Sequence, residues 1–185
     1  MNVVERVKKI LLSPKEEWEV IKQETTTVKN LFTQYAVILA AIPAVAGLIG
    51  FRGFGMGSSF NWAIVTYVLS LVSAFALGYI IDVLAPTFGT TKDITSSMKV
   101  SVYASTASWV GGIFNLIPFL SFVSFFAGVY TLFLMYWGLK SIKEVPEDKM
   151  VGYFITVIVV SIVISLIIGA ITSGMFLTGM ALSGV

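Results

Sequence analysis

Neither cysteine nor histidine occurs among the 185 residues of this chain. The first absence excludes disulfides, thiolate nucleophiles and cysteine metal sites. The second removes imidazole ligands, the Ser-His pair and the side chain whose ordinary pKa lies nearest neutrality. Charge is also scarce. Asp, Glu, Lys and Arg make up 12% of the residues, against about 25% in a soluble domain. The net charge is only +2. A nucleic-acid-binding surface needs an unbalanced basic face. Here the basic residues near the N-terminus are mixed with Glu5, Glu16, Glu17, Glu19 and Glu24. No nucleic-acid partner and no cofactor are expected. No Asn-x-Ser/Thr sequon occurs either.

Apolar surface is in excess. The chain is 57% hydrophobic with a mean hydropathy of +0.92. So short a chain cannot enclose that much apolar surface, so lipid must cover it. Five apolar stretches stand out: Leu31–Gly50, Phe60–Ala85, Val100–Ile117, Phe119–Leu139 and Val151–Leu177. Each holds roughly 18–27 residues, enough at about 1.5 Å per residue to cross a core of about 30 Å. A closed β-barrel is the other spanning solution and requires alternation. The run Ile155-Thr156-Val157-Ile158-Val159-Val160 does not alternate. The expected fold is all-α: a polytopic membrane protein with five transmembrane helices over residues 31–185. Amphipathic helices over residues 1–30, cytoplasmic or interfacial, precede them.

The basic residues sort across this pattern. Numbering the gaps alternately, one set holds Arg6, Lys8, Lys9, Lys15, Lys22, Lys29, Lys92, Lys99, Lys140, Lys143 and Lys149. The other set holds Arg52 alone. Cytoplasmic loops collect Lys and Arg, which predicts a cytoplasmic N-terminus, an odd number of crossings and an outside C-terminus. Ala44-Val45-Ala46 fits a signal-peptidase rule, but thirty patterned residues precede the first stretch, so an uncleaved span is expected.

The N-terminal segment is amphipathic. Val3, Val4, Val7, Ile10 and Leu11 recur at helical spacing beside Arg6, Lys8 and Lys9. Ser13-Pro14-Lys15-Glu16 reads as a second helix start, with Ser13 as cap, Pro14 in the first turn and Glu16 closing a capping box. That helix turns Trp18, Ile21 and Val20 to one side. Two readings share the pattern. One lays the helices in the headgroup zone with Trp18 as interfacial anchor; the other docks them on the bundle.

Asp82 is the one ionisable residue inside an apolar stretch, and such residues mark a polar partner or a pathway. It ends a ladder of Ser70, Ala74 and Gly78 at four-residue spacing, a face suited to close helix packing. Its nearness to Ala85-Pro86 also allows a hydrated position at the cytoplasmic rim. Ser161, Ser165, Gly169 and Ser173 form a similar stripe in the fifth stretch, as do Ala104, Ser108 and Gly112 in the third, beside Ala107 and Gly111. Asn115 and Pro118 mark a tight hairpin between the third and fourth stretches. Pro118 breaks the helix by denying a backbone donor, and a re-entrant pair fits the same residues. Phe51-Arg52-Gly53-Phe54-Gly55-Met56-Gly57-Ser58-Ser59 lacks the strand and the Lys-Ser/Thr of a phosphate loop and reads as a linker. Tyr67, Tyr79, Tyr103, Tyr136 and Tyr153 fall near span ends, as an aromatic belt would. No acid–base pair or metal cage is apparent, so no catalytic or metal residue is assigned.

These residues resemble a known family. Pro14-Lys15-Glu16-Glu17-Trp18-Glu19-Val20-Ile21 is similar to the opening of prokaryotic Yip-one family proteins. Tyr103-Ala104-Ser105-Thr106-Ala107-Ser108-Trp109 followed by Asn115-Leu116-Ile117-Pro118 resembles that family's central hairpin. Tyr130 to Leu139, then Val145 to Tyr153, is similar to its fourth-span exit. Where the family commonly has a proline, this chain has Ala107, so no proline-fixed kink is expected in the third span. The resemblance implies five membrane helices and a cytoplasmic N-terminus. Eukaryotic relatives carry a long cytosolic region with an Asp-Leu-Tyr-Gly-Pro motif, which is absent here. The expected function is a non-enzymatic membrane scaffold, trafficking-like or membrane-organising, whose partners are membrane lipid and a second copy or other membrane proteins. The alternative is a transporter or channel component with Asp82 on the pathway.

Overall fold

The computed structural model describes residues 2–50 and 59–183, with side chains except at 59, 62, 165 and 167–183. Arg52 and the glycine loop therefore lie outside the described residues, as do the side chains of Ser165, Gly169 and Ser173. Every described element is helical.

Two short helices come first. Helix α1 (Val3–Leu12) is capped by the Asn2 side chain, which accepts from the Val4 and Glu5 amides. Helix α2 (Pro14–Gln23) opens on Pro14 with no side-chain cap, so the expected Ser13 capping bond does not form. Next comes a helix over Val28–Gly50 built from α3 (Val28–Leu31), a π-helical turn (Phe32–Ala36) and α4 (Val37–Gly50). Helix α5 (Ser59–Leu84) runs into a 3₁₀ turn (Ala85–Phe88) that Gly89 closes with φ of 77°, a backbone region that favours glycine. Helices α6 (Ile94–Ala104) and α7 (Thr106–Gly111), two 3₁₀ turns (Gly112–Leu116 and Pro118–Leu120), α8 (Val123–Ile142) and α9 (Glu147–Ser183) complete the chain.

Among the described residues, three helical stretches are long and apolar enough to cross a membrane: Val28–Gly50, Ala63–Phe88 and Pro118–Ile142. Large side chains such as Ile38, Val45, Val68, Phe75, Phe125, Val159 and Ile162 stay exposed along the long helices. In lipid that exposure is the solvated state, and the helix satisfies its own backbone polar groups. The protein is an all-α, multi-span membrane protein with short helices before its spans.

The third stretch departs from the sequence reading. It is not one helix over Val100–Ile117. It starts at Ile94, breaks at Ser105 and ends in a 3₁₀ turn. No proline causes the break. The Ser105 hydroxyl bonds back to the Ser101 carbonyl at 2.8 Å, a competition that bends helices. Residues Ser97 to Ala104 are all buried, so α6 is a central helix wrapped by protein. That is why it tolerates serine and lysine where a lipid-facing helix does not.

The hairpin after it meets α4. A Cβ on Gly112 would stand 2.4 Å from the Pro43 Cβ and 2.9 Å from its Cα. A Cβ on Gly50 would stand 2.0 Å from the Asn115 carbonyl oxygen. Asn115 accepts from Ser124 at 3.2 Å, and Pro118 opens the 3₁₀ turn that starts the return. We predict that Gly112→Ala destabilises by about 1–3 kcal/mol through overpacking against backbone, whereas Gly128→Ala, with nothing within 4 Å of its new Cβ, does not. Thermal unfolding in detergent checks the pair.

Candidate functional site

The polar side chains of this apolar chain converge in two neighbouring clusters around the start of α6. The first lies under α1 and α2. Arg6 forms ion pairs with Glu17 and Glu24, and both Arg6 and Glu17 are buried. The Arg6 guanidinium also sits 5.6 Å from the Tyr103 ring centroid. Lys99 donates to the carbonyls of Ile21 at 2.9 Å and Glu24 at 2.5 Å. These are the terminal carbonyls of α2, where a cation also complements the helix dipole. Below, Tyr35 shares a 2.8 Å hydrogen bond with Thr106 and meets Tyr103 edge-on at 4.9 Å. Tyr35 sits in the π-helical turn, and such turns are frequent at functional sites. A cleft of about 560 Å³ opens here, lined by Arg6, Glu17, Glu24, Asn30, Gln34 and Tyr103 among others.

The second cluster gathers the loop ends. Asp82 accepts from the Asp93 amide at 2.9 Å and the Ser97 hydroxyl at 3.1 Å. It is half-buried and fastens the end of α5 to the start of α6. Asp93 caps α6, accepting from the Thr95 and Ser96 amides and from the Ser96 hydroxyl at 2.5 Å. Buried Lys143 donates to the Thr91 carbonyl at 2.7 Å, and Thr90 donates to the Lys143 carbonyl. A smaller cavity of about 300 Å³ lies among these groups.

The electrostatics follow from this placement. Burial pushes the Lys143 ammonium below its usual range, against the pull of Asp82 and Asp93. Burial alone would raise the Asp93 carboxyl, but the bonds from the Ser96 hydroxyl and the Ser96 and Thr95 amides outweigh it. They leave the group below its ordinary 3.8. A depressed carboxyl contributes stability that is complete above the unfolded value and is lost as pH falls through the folded value. Melting temperature should therefore drop on acidification below pH 3.8, and Asp93→Asn should flatten that drop. An unchanged acid limb in Asp93→Asn would count against the cap.

The other residues singled out by sequence fall as follows. Ser70 accepts from the Trp109 indole at 2.6 Å, the Ala74 carbonyl accepts from Ser101, and Gly78 lies against Met98. With Asp82, the whole ladder faces α6 and α7. The Ser161 hydroxyl is buried without a partner among the described residues. Trp18 is corrected. It is no headgroup anchor but is fully buried, against Gly138 and Tyr103, while Val20 faces outward. The stretch from the end of α1 through α2 stands along α8 in register. Leu11 accepts from Tyr130, Trp18 meets Gly138, Glu19 meets Ser141 and Lys22 meets Glu144. An apolar face that could lie on lipid finds a better-packed surface on α6 and α8.

Sequence reasoning missed the Arg6–Glu17–Glu24 network and the role of Lys99. The spacing of Glu17 and Glu24, two turns apart on the same side as Ile21, was the available signal. Among the described residues, no group of three or more Asp or Glu side chains is placed to hold a metal ion.

The Yip1 domain family model matches residues 8–182. The chain belongs to the Yip1 domain family. It is also similar to the inner membrane protein YohC of Escherichia coli, in strain K12 and in strain O6:H1. Each is 22% identical over 174 residues, covering 86% of this chain and 89% of the relative. No solved structure matches. The match covers the second cluster, the hairpin and every residue named for the first cluster except Arg6.

Proposed function

We propose that this Yip1-domain protein is a non-enzymatic scaffold of a prokaryotic cell membrane. It crosses the membrane five times, with its N-terminus in the cytoplasm and its C-terminus outside, and acts through helix–helix and lipid contacts. The observation that carries the reading is the docking of α1 and α2. Their buried cations and carboxylates are spent on one another and on helix ends, which holds a polar platform rigid against the bundle. No side chain of that platform is poised as nucleophile or base. The lysine distribution supports the orientation, and the YohC relatives, named inner membrane proteins, support the placement in a prokaryotic cell membrane. The exposed apolar faces leave room for a second copy or another membrane protein.

Cross-linking in native membranes, followed by size analysis in mild detergent, tests the reading. Self-association or a reproducible membrane partner is expected, and a strictly monomeric protein without partners would contradict it. The rival reading puts Asp82 on a transport pathway. Its bonds to the Asp93 amide and Ser97 favour a fastening role instead. Asp82→Asn keeps an acceptor oxygen and should leave any proteoliposome flux unchanged, while Asp82→Ala should cost about 1–3 kcal/mol of stability by stranding those donors. Flux abolished in a folded Asp82→Asn protein would reverse the preference.

A further inference from the structure

Burying Trp18 leaves another tryptophan at the rim. Trp137 is half-buried near the end of α8, five residues before Ile142. The Lys15 ammonium lies 4.4 Å from its ring centroid and that of Lys140 5.9 Å. With Lys22, they line an open cavity of about 440 Å³ that also touches Glu19, Ser141 and Glu144. Three carboxylates stand near. Glu19 accepts from Ser141 at 2.7 Å, Glu144 pairs with Lys22, and Glu147 is 3.5 Å from Lys140. Lys15 has no carboxylate partner among the described residues, and the lining itself sets three lysines against Glu19 and Glu144, one positive charge in excess beside an aromatic face.

The surface below is apolar. Phe126, Val129 and Phe133 are exposed on α8, and their spacing from Trp137 puts all four on one helix face. Phe133 meets Trp137 edge-on at 6.3 Å and stacks on Tyr130 at 5.5 Å. An exposed apolar strip thus runs along a spanning helix and ends beneath a basic, tryptophan-floored pocket. Tryptophan and lysine at that depth are the side chains that meet lipid headgroups.

We propose that this pocket binds the phosphate headgroup of an anionic phospholipid in the cytoplasmic leaflet, with an acyl chain along Phe133, Val129 and Phe126. The proposal rests on the orientation given above and names the lipid contact of the same cytoplasmic face.

Native mass spectrometry of the full chain after partial delipidation tests it, with phosphatidylglycerol and phosphatidylethanolamine as competing probes. Preferential retention of phosphatidylglycerol is expected, together with a higher melting temperature when that lipid is added. Lys15→Gln with Lys140→Gln should lower retention roughly thirtyfold, on the scale expected of two interfacial lysines, with melting temperature in lipid-free detergent unchanged. Lys8→Gln with Lys9→Gln removes equal charge outside the pocket and should retain the lipid. Should the first double variant lose helicity, Lys15→Gln alone is read in the same way. Full retention in the pocket variants overturns the proposal. So does equal loss in the Lys8 and Lys9 control, which would mean diffuse charge attraction. Protection by inorganic phosphate equal to that by the lipid overturns it too, since the site would then serve a soluble anion. Oligomeric state does not enter this readout, so failure of the scaffold reading and failure of the lipid site are separately visible.

Discussion

Arg6→Ala is expected to destabilise the folded protein by about 3–5 kcal/mol, the cost of stranding one member of a buried ion pair. Arg6 and Glu17 side chains are 7% and 6% exposed, so water reaches a stranded charge only from the cleft side. Glu24 is more exposed, at 34%, and contributes less to the penalty. The cost arises from the stranded charge rather than from any large net value of the pair. Arg6→Met combined with Glu17→Leu should therefore recover most of the loss, because apolar replacements of similar volume are often neutral. Denaturant unfolding in mixed micelles measures both. Trypsin adds an independent check, since release of α1 should open Lys8 and Lys9 to cleavage in Arg6→Ala but not in the double variant. A cost for Arg6→Ala below about 1 kcal/mol, the range of exposed pairs, would show that the network is not buried in solution.

Trp18→Ala should cost a similar amount, about 3–5 kcal/mol, as a fully buried tryptophan is removed and a cavity left. The same substitution at an interfacial anchor would barely change stability, so the experiment separates the two readings of α2. Trp137→Ala supplies the contrast, because its ring is only half-buried, and its cost should be clearly smaller. The packing partner gives a second handle. A Cβ on Gly138 would stand 2.9 Å from Trp18 Cζ2 and Cη2 and 3.1 Å from Val100 Cγ1. Gly138→Ala should thus be destabilising in the native chain and close to neutral beside Trp18→Ala, a coupling that a double-mutant cycle reads directly. Additive effects would place Trp18 elsewhere.

The all-α spanning pattern was legible in the sequence because lipid imposes a strong and simple constraint, a run of apolar residues of fixed length. The ladder from Ser70 to Asp82 could be read from the sequence as a candidate packing face, since only small residues let helix backbones approach. The third stretch was misread because α6 is surrounded by protein on all sides. A helix shielded from lipid escapes the hydropathy rule, so Ser97, Lys99 and Ser101 lie on it and its first turn precedes the apolar run. Its break at Ser105 depends on a side-chain bond within the helix, which no composition window registers. Trp18 was ambiguous in principle. An amphipathic face matches a membrane surface and a groove on the bundle equally well, and only the register along α8 decides between them. The Arg6 network was illegible because its partners lie eleven and eighteen residues away, on a separate helix and its end.

The absence of cysteine makes one measurement unusually clean. Single Lys92→Cys and Val185→Cys variants can be treated in intact cells with a membrane-impermeant maleimide, then again after permeabilisation. Five crossings with the α1–α2 platform in the cytoplasm predict that Val185→Cys labels in intact cells and Lys92→Cys only after permeabilisation. Labelling of both positions only after permeabilisation, or of Lys92→Cys alone from outside, would contradict it.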